Sequence, residues 1–258
     1  MGKRSGEVVV LLTATVSPSS TMPGSANNDA AIRRDEYLKA LSHYLAQPDD
    51  IIQSVVILEN SGASAEPFRA LYENSGSAKS FAFINTTADY DHTRGKGFGE
   101  FLMIDAGMKQ LVEGGRFSTE AKFWKVTGRH HVLNISDMIR TAPETYDLYC
   151  DLRNVPLIGE RLGGNRWMDL RVLSFSIAGY RHFFEGRYDG GFTLEKPFFE
   201  RAYAAWRQDP KGIVPRFRIQ PVLRGTNGRT GESYSSPSYL RKERLRALMR
   251  RLAPRLWL

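Results

Sequence analysis

The chain has 258 residues, 41% of them hydrophobic, which is enough to build a proper core. Its single cysteine, Cys150, excludes an intramolecular disulfide framework and fits a reducing compartment. The formal charge is +8, but residues 241–258 hold seven Lys or Arg and one Glu, a net of +6. The rest of the chain is therefore almost neutral, which argues against a nucleic-acid-binding surface, and no apolar run approaches the ~20 residues of a membrane-spanning helix.

Apolar strands and amphipathic helices alternate in the first half of the chain. The run "EVVVLLTAT" (7–15) predicts a strand covered on both faces, and Glu7 and the threonines argue against a signal peptide. Further strands are predicted at 54–60, 80–86 and 121–128, and helices at 30–46, 66–74 and 98–111. Four consecutive strand–helix units predict an α/β fold with a Rossmann-type, mostly parallel sheet flanked by helices.

Beyond residue 140 the alternation weakens. The patterns predict strands at 146–152 and 167–176, a helix at 194–206, and strand-like segments over 212–234 that end in a glycine-rich loop. Residues 238–252 place leucines and a methionine against a strongly basic face, which predicts a basic amphipathic C-terminal helix.

The carboxyl ends of the predicted parallel strands carry polar, small or basic residues. In open parallel sheets ligands bind beyond these ends. The residues concerned are Thr13, Glu59, Asn60, Thr127, Gly128 and Arg129. They suit a polar ligand such as a sugar nucleotide, although polar residues end most strands in any case.

The stretch "RGKGFGE" (94–100) lies where a helix is predicted to begin. It matches neither the P-loop spacing nor G-x-G-x-x-G. A glycine-lysine-glycine turn at a helix start nevertheless offers free backbone N–H groups and the positive end of the helix dipole to an anion. Arg94 and Lys96 add charge, so we expect a phosphate contact here; a tight turn with solvated basic residues is the alternative.

Three further stretches complete a recognisable order: "ENSG" after the second strand, "KVTGRH" (125–130) at the end of the fourth, and "RGTNGRTGESY" (224–234). Together with "RGKGFGE" they resemble the A-fold (GT-A-like) glycosyltransferases of bacterial surface-polysaccharide and lipopolysaccharide synthesis. The similar branch carries K-x-T-G-R-H and lacks an Asp-x-Asp motif. The resemblance covers residues 7–235 and implies transfer of a sugar from a nucleotide-activated donor.

The same resemblance implies how the chain is organised. A single transferase domain is expected over 1–236, with a nucleotide-sugar-binding half (7–140) and an acceptor half (141–236), followed by a basic tail (237–258). The donor site is expected to contain Thr13, Glu59, Asn60, Arg94, Gly95, Lys96, Gly97, Lys125, Thr127, Gly128, Arg129, His130, Arg224 and Gly228. Arg224 and Gly228 belong to a glycine-rich loop that we expect to close over the donor diphosphate.

The end of the fourth strand departs from the family pattern. Most A-fold transferases hold a divalent cation there with Asp-x-Asp, whereas "FWKVTGRHH" contains no carboxylate. We expect Lys125, Arg129 and His130 to stabilise the departing diphosphate directly, with no metal cofactor. The literal D-x-D at 89–91 lies before the helix and is expected to be a solvated acidic turn, and His130 and His131 would point to opposite faces of a strand.

Transfer with inversion needs a carboxylate that takes the proton of the acceptor hydroxyl. Glu195 resembles the base of inverting relatives, although Lys196 stands where they carry an aspartate, and Asp151 is the second candidate. Trp167 and Asp169 are candidates for binding the acceptor sugar. Each of these residues is also compatible with a structural role as a core residue, a helix cap or an ion-pair partner.

These patterns together predict a metal-independent glycosyltransferase whose partners are a nucleotide sugar and a saccharide or glycolipid acceptor. The basic tail, which ends in Leu256, Trp257 and Leu258, predicts contact with an anionic membrane surface, so a cytoplasmic location on the inner face of the cell membrane is expected. A terminal helix that packs on the domain and leaves its arginines in solvent is the alternative for this segment. A sugar nucleotidyltransferase is the first alternative, but its glycine-rich loop after the first strand is missing. A non-catalytic nucleic-acid-binding protein is the second.

Overall fold

A computed structural model describes residues 6–18, 29–87, 90–155, 165–189, 193–226 and 233–252. Its first four strands are β1 (Val8–Ala14), β2 (Ser54–Glu59), β3 (Ser80–Asn85) and β4 (Lys122–Thr127). Between them lie α1 (Ala30–Leu45), α2 (Glu66–Asn74), a short 3-10 helix (His92–Arg94) and α3 (Lys96–Glu113). All seven predicted elements of this half of the chain are present, each within a few residues of its predicted bounds.

β1 shows why this half folds as it does. All seven of its residues are buried, as expected for a strand with helices on both faces. Val8, Val10 and Leu12 pack in the core on the α1 side, whereas Val9 and Leu11 pack in the core on the α3 side. This alternation follows from the period of two along a strand and places one helical layer on each face of the sheet.

The second half of the chain is built from shorter elements. They are β5 (His131–Val132), α4 (Ile135–Thr141), β6 (Leu148–Tyr149), β7 (Leu152–Arg153), β8 (Trp167–Met168), β9 (Val172–Ser176), α5 (Ile177–Phe183), α6 (Glu195–Gln208), β10 (Ile213–Val214), β11 (Leu223–Arg224) and α7 (Pro237–Leu252). The sequence patterns missed α4 and α5. The predicted strands 146–152 and 167–176 are each divided between two sheets.

The central sheet has seven strands in the order β10-β6-β9-β4-β1-β2-β3. Only β9 runs against the others, because it pairs antiparallel with both β4 and β6, whereas the remaining pairs are parallel. The predicted α/β class with a mostly parallel sheet is thus confirmed. The reversal of β9 also brings residues 169–171 to the carboxyl end of β4, where Thr127 N donates to Arg171 O over 3.0 Å.

The predicted C-terminal helix is present as α7, and its orientation is unexpected. Tyr239, Glu243, Arg246 and Arg250 lie on the side that contacts the body, whereas its leucines Leu240, Leu245, Leu248 and Leu252 are exposed. The polar face therefore packs inward and the apolar face points to solvent. Within the described ranges no helix is long and apolar enough to cross a membrane.

Candidate active site

A buried polar cluster occupies the carboxyl ends of β1 and β4. The Lys125 side chain is fully buried, and its Nζ lies 2.7 Å from Glu100 Oε1 and donates to Leu170 O over 2.5 Å. Thr13 Oγ1 donates to the same Glu100 oxygen over 2.6 Å, and Thr127 Oγ1 lies 3.4 Å from it. Glu100 therefore ties α3 to two strand ends, and we call these four side chains the Lys125 cluster.

Glu100 is the last residue of "RGKGFGE", and its role escaped the sequence analysis. A signal for it does exist. Lys125 lies in the middle of an apolar strand between Trp124 and Val126, and a lysine buried there requires a carboxylate partner.

Three cations lie beside this cluster. The guanidinium of Arg33 donates to Thr15 O over 2.8 and 2.6 Å, and Arg129 Nη1 lies 2.9 Å from Glu36 Oε2. The pKa of Lys96 is lowered, first by burial and then by the positive charges of Arg33 and Arg129. We call Arg33, Lys96 and Arg129 the basic cluster; it forms a region of positive potential that an anion would relieve. No sequence pattern pointed to Arg33 or Glu36.

The glycines of this region allow close backbone approach. Gly128 N donates to Thr13 O over 2.9 Å, and a Cβ at Gly128 would lie only 2.5 Å from that oxygen. Gly95 precedes α3 with a φ of 89°, a conformation that favours glycine, and no side chain caps the helix. Gly97 lies against Leu194, which would approach an added Cβ to 3.3 Å, so the start of α6 lies beside the start of α3.

Arg94 points elsewhere. It forms an ion pair with Asp189, and its guanidinium lies 3.6 Å from the centre of the Phe98 ring. Of the basic residues in "RGKGFGE", only Lys96 therefore belongs to the basic cluster.

Glu59 and Asn60 shape the turn after β2. The Glu59 carboxylate is buried and accepts hydrogen bonds from the backbone N–H groups of Val16, Ser61 and Ala63. Thr15 Oγ1 donates to Asn60 Oδ1 over 2.7 Å. These contacts join the turn to the loop that leaves β1.

His130 and His131 lie in different environments. His130 is buried against Tyr234, and burial, followed by the charge of Arg171, lowers its pKa to about 3, so that it is neutral at pH 7. His131 stacks on His43 with a ring separation of 5.3 Å, and Arg224 pairs with it across β5 and β11. Gly228 and Asp89 lie outside the described residues.

The predicted acceptor residues come together beneath α7. Asp151 is ion-paired with Arg250 of that helix. Asp169 accepts three hydrogen bonds from the Arg171 guanidinium, at 2.6 to 3.2 Å. Burial alone would raise the pKa of Asp169, but Arg171 outweighs it and the pKa lies below its ordinary value. Both aspartates and Trp167 line a pocket that α7 closes from one side.

Glu195 is the first residue of α6 and is half-buried. Within the described part of the chain its carboxylate has no hydrogen bond or ion pair. The helix begins against Gly97 and packs along β8, which carries Trp167. The helix that Glu195 begins therefore contacts both α3, which carries Lys96, and β8, which carries Trp167.

The donor set does not suit a divalent metal. β4 ends in Thr127 and is followed by Gly128 and Arg129, and the two neighbouring carboxylates, Glu100 and Glu36, are held by Lys125 and Arg129. No group of three or more His, Cys, Asp or Glu side chains among the described residues is placed to hold a metal ion. Metal-independent chemistry remains a prediction.

Comparisons with known proteins show no family for this chain. No protein-family model matches the sequence, and no curated protein matches it. The chain aligns over 95% of its length with 98% of a protein described as a nucleotide-diphospho-sugar transferase from Desulfovibrio desulfuricans, at 14% identity and a TM-score of 0.46. Over 90% of its length it aligns with 94% of the galactosyltransferase LgtC, solved with donor and acceptor sugar analogs, at 12% identity and a TM-score of 0.47.

A third solved structure is that of 4-diphosphocytidyl-2C-methyl-D-erythritol synthase. The alignment covers 93% of this chain and 99% of the synthase, at 9% identity and a TM-score of 0.41. At these identities and TM-scores, functional conclusions have to come from the residues of the chain itself.

Proposed function

We propose that this protein is a glycosyltransferase that moves a sugar from a nucleotide diphosphate donor to a saccharide acceptor. The observation that carries the proposal is the basic cluster. Arg33, Lys96 and Arg129 place three positive charges at the carboxyl ends of β1 and β4; burial, followed by the charges of Arg33 and Arg129, lowers the pKa of Lys96. A diphosphate bound there would relieve the repulsion among the three cations.

The donor diphosphate binds at the basic cluster in this proposal. Lys96 and Arg129 contact its oxygens, and Gly95 and Gly97 let the backbone N–H groups at the start of α3 approach it. Charge that develops on the leaving diphosphate is stabilised by these fixed cations and not by a metal ion. His130 is neutral at pH 7 and therefore adds no positive charge to the departing diphosphate. In this proposal Arg33 supplies the positive charge that the position of His130 in "KVTGRH" had led us to expect from the histidine.

Glu195 is the proposed general base. It is the first residue of the helix that begins against Gly97 of α3 and packs along β8, and its carboxylate has no partner within the described part of the chain. In a single displacement it takes the proton of the acceptor hydroxyl while that oxygen bonds to the anomeric carbon and the nucleotide diphosphate departs. Asp151 is less suitable, because Arg250 binds its carboxylate.

We also propose that the outer face of α7 contacts an anionic membrane surface, which would suit a lipid-linked acceptor. Leu245, Leu248 and Leu252 are 61%, 51% and 71% exposed, and Arg241 and Arg244 flank them on the same face. An exposed apolar stripe bordered by arginines is typical of helices that lie in the membrane interface.

Thermal-shift measurements with nucleoside diphosphates test the donor site. We expect stabilisation by at least one nucleotide in the presence of EDTA and loss of that stabilisation in Lys96→Gln and Arg129→Gln. Lys109→Gln, on the exposed side of the same helix α3, is the matched control and should keep the response. Absence of stabilisation by every nucleotide would reject the donor site, and stabilisation only with Mn²⁺ would reject the metal-free mechanism.

Glu195→Gln tests the base. Loss of a general base typically lowers kcat by ~10²–10⁴-fold, and nucleotide-induced stabilisation should stay unchanged because the basic cluster is intact. Glu200→Gln, one turn along α6 and paired with Arg166, serves as the control. Sugar transfer at the wild-type rate by Glu195→Gln would place the base elsewhere.

A further inference from the structure

A cleft lies between the inner face of α7 and strands β7 and β8. Its open part has a volume of about 350 Å³, which is within the range of small-molecule sites. It is lined by Trp167, Arg171, Tyr234, Tyr239, Lys242 and Arg246. An adjoining pocket of about 30 Å³ shares four of these residues and is also lined by Asp151, Arg153 and Asp169. We call the whole space the α7 cleft. One of its walls is a helix that the sequence suggested to be a separate tail.

The charges of the α7 cleft do not cancel. Five cations and three carboxylates line it. Each carboxylate is bound by one arginine, in the pairs Asp151–Arg250, Asp169–Arg171 and Glu243–Arg246. Arg153 and Lys242 remain, and within the described part of the chain neither of them pairs with a carboxylate. The side chains that line the cleft therefore carry a net charge of +2.

Arg153 is the more informative of the two cations. It is half-buried, and its guanidinium lies 5.3 Å from the centre of the Trp167 ring, its partner across β7 and β8. Burial and then the nearby charge of Arg246 lower its pKa, although the carboxylates Glu243, Asp151 and Asp169 offset part of this effect. A guanidinium that is partly removed from water and repelled by a second arginine gains from an anion.

The remaining walls suit a sugar ring. Trp167 and Tyr239 provide aromatic surface, and the hydroxyl of Tyr239 and the nearby serines Ser233, Ser236 and Ser238 provide hydrogen-bonding groups. Two buried polar atoms at the inner end, Gln220 Oε1 and Arg250 Nε, have no hydrogen-bond partner among the described residues. Unsatisfied polar groups and aromatic surface in one cleft are expected where a polar ligand binds.

We propose that the α7 cleft binds the acceptor and that this acceptor is an anionic saccharide, carrying a phosphate or a carboxylate that contacts Arg153 and Lys242 while a sugar ring packs on Trp167. The assignment as acceptor rests on the proposed transferase function. The cleft lies close to the donor site, because Arg171 lines it and the adjoining Leu170 carbonyl accepts a hydrogen bond from Lys125.

Calorimetric titration of the full chain, without nucleotide, tests the proposal with three probes: glucose 1-phosphate, glucuronate and glucose. We expect at least one anionic probe to bind and glucose to bind at least about tenfold more weakly, as is typical when a charge-assisted hydrogen bond is missing. Arg153→Gln and Lys242→Gln should each weaken the anionic probe by about five- to tenfold. Arg244→Gln, on the outer face of α7, should change binding by less than about twofold.

Lys96→Gln separates the α7 cleft from the basic cluster, where a sugar phosphate has a second possible place. Unchanged binding in Lys96→Gln together with loss in Arg153→Gln supports the cleft, and the reverse pattern overturns it. Equal affinity for glucose, or no binding of either anionic probe, also overturns it. Binding of glucose 1-phosphate alone identifies a phosphate, and binding of glucuronate alone a carboxylate. Nucleotide-induced stabilisation is measured separately, so the donor site and the cleft can fail independently.

Discussion

His130 lies at the boundary between the basic cluster and the α7 cleft, since it follows Arg129 in the chain and its ring contacts Tyr234. Its Nε2 lies 3.3 Å from Thr226 O, and its buried Nδ1 has no hydrogen-bond partner in the part of the chain that the structure describes. A proton on this ring would be buried among the charges of Arg171, Arg129 and Lys125. The uncharged ring of His130 therefore lies between two positively charged sites. Keeping it uncharged affects how the free energy of unfolding depends on pH.

The free energy of unfolding should depend on pH through His130. Its pKa is about 3 in the folded protein and 6.5 ordinarily, so the unfolded chain binds the proton more readily. The stabilisation is complete above pH 6.5 and is lost as the pH falls toward 3, by up to about 1.4 kcal/mol per pH unit. Denaturant unfolding of wild type and His130→Gln between pH 7 and 5 should show a flatter slope in the variant.

The exposed His182 provides the control for this measurement. His182→Gln should keep the wild-type slope. A wild-type slope in His130→Gln as well would mean that His130 is not buried as a neutral base.

At the scale of elements, the Lys125 cluster joins three of them: β1 through Thr13, β4 through Lys125 and α3 through Glu100. A buried ion pair contributes little net stability, because desolvation opposes the attraction, but removing one partner leaves a buried charge uncompensated. The pair therefore fixes where α3 begins relative to the strand ends, and with it the position of Lys96.

Glu100→Gln should lower the free energy of unfolding by about 3 kcal/mol, because it leaves the buried ammonium of Lys125 without its carboxylate. The double variant Lys125→Met/Glu100→Gln should recover most of that loss. Glu113→Gln, which breaks the exposed Lys109–Glu113 pair on the same helix, should cost less than about 0.5 kcal/mol. A double variant no more stable than Glu100→Gln would contradict the ion-pair explanation.

The long strands of this architecture can be predicted from the sequence, whereas the short strands cannot. The strands β1 and β2 are buried along their whole length and β4 over its four central residues, so both their existence and their parallel arrangement follow from local pattern. The short strands β6 and β7 were merged into one prediction, because hydrogen bonds to distant partners and not local composition separate them.

The candidate site was predictable in the same uneven way. Lys96 and Arg129 stand in recognisable stretches at element ends. Arg33 lies within the solvent-facing pattern of α1 and reaches the site only because α1 packs beside the loop that leaves β1. Lys242 was assigned to a membrane-binding tail, because the sequence of α7 does not reveal which of its faces packs inward.

At the scale of the whole molecule, the two faces of α7 have different proposed functions. Its inner face carries the side chains that close the α7 cleft, and its outer face carries exposed leucines bordered by arginines. If the outer face lies on a membrane, the cleft opens beside the lipid surface. A membrane-linked saccharide would then reach Trp167 without leaving the bilayer.

Leu245→Glu and Leu248→Glu should each weaken binding to phosphatidylglycerol vesicles by about tenfold, because each removes a leucine that inserts into the interface. Sedimentation with vesicles measures this. Leu133→Glu, at a leucine 41% exposed elsewhere on the molecule, is the control and should leave binding unchanged. Equal sedimentation of all three variants with wild type, or equal binding to phosphatidylcholine vesicles, would reject the membrane face.

The reversed strand β9 also constrains how the chain folds. β6 precedes β9 in sequence, yet its only neighbours in the sheet are β9 and the two-residue strand β10. β1 to β4 can associate as successive units, whereas β6 has no sheet to join until β9 has paired with β4. In a hydrogen-exchange refolding experiment, amide protection should therefore appear in β9 before β6 and β10. On that side of the sheet, β9 is added before β6 although β6 comes first in the sequence.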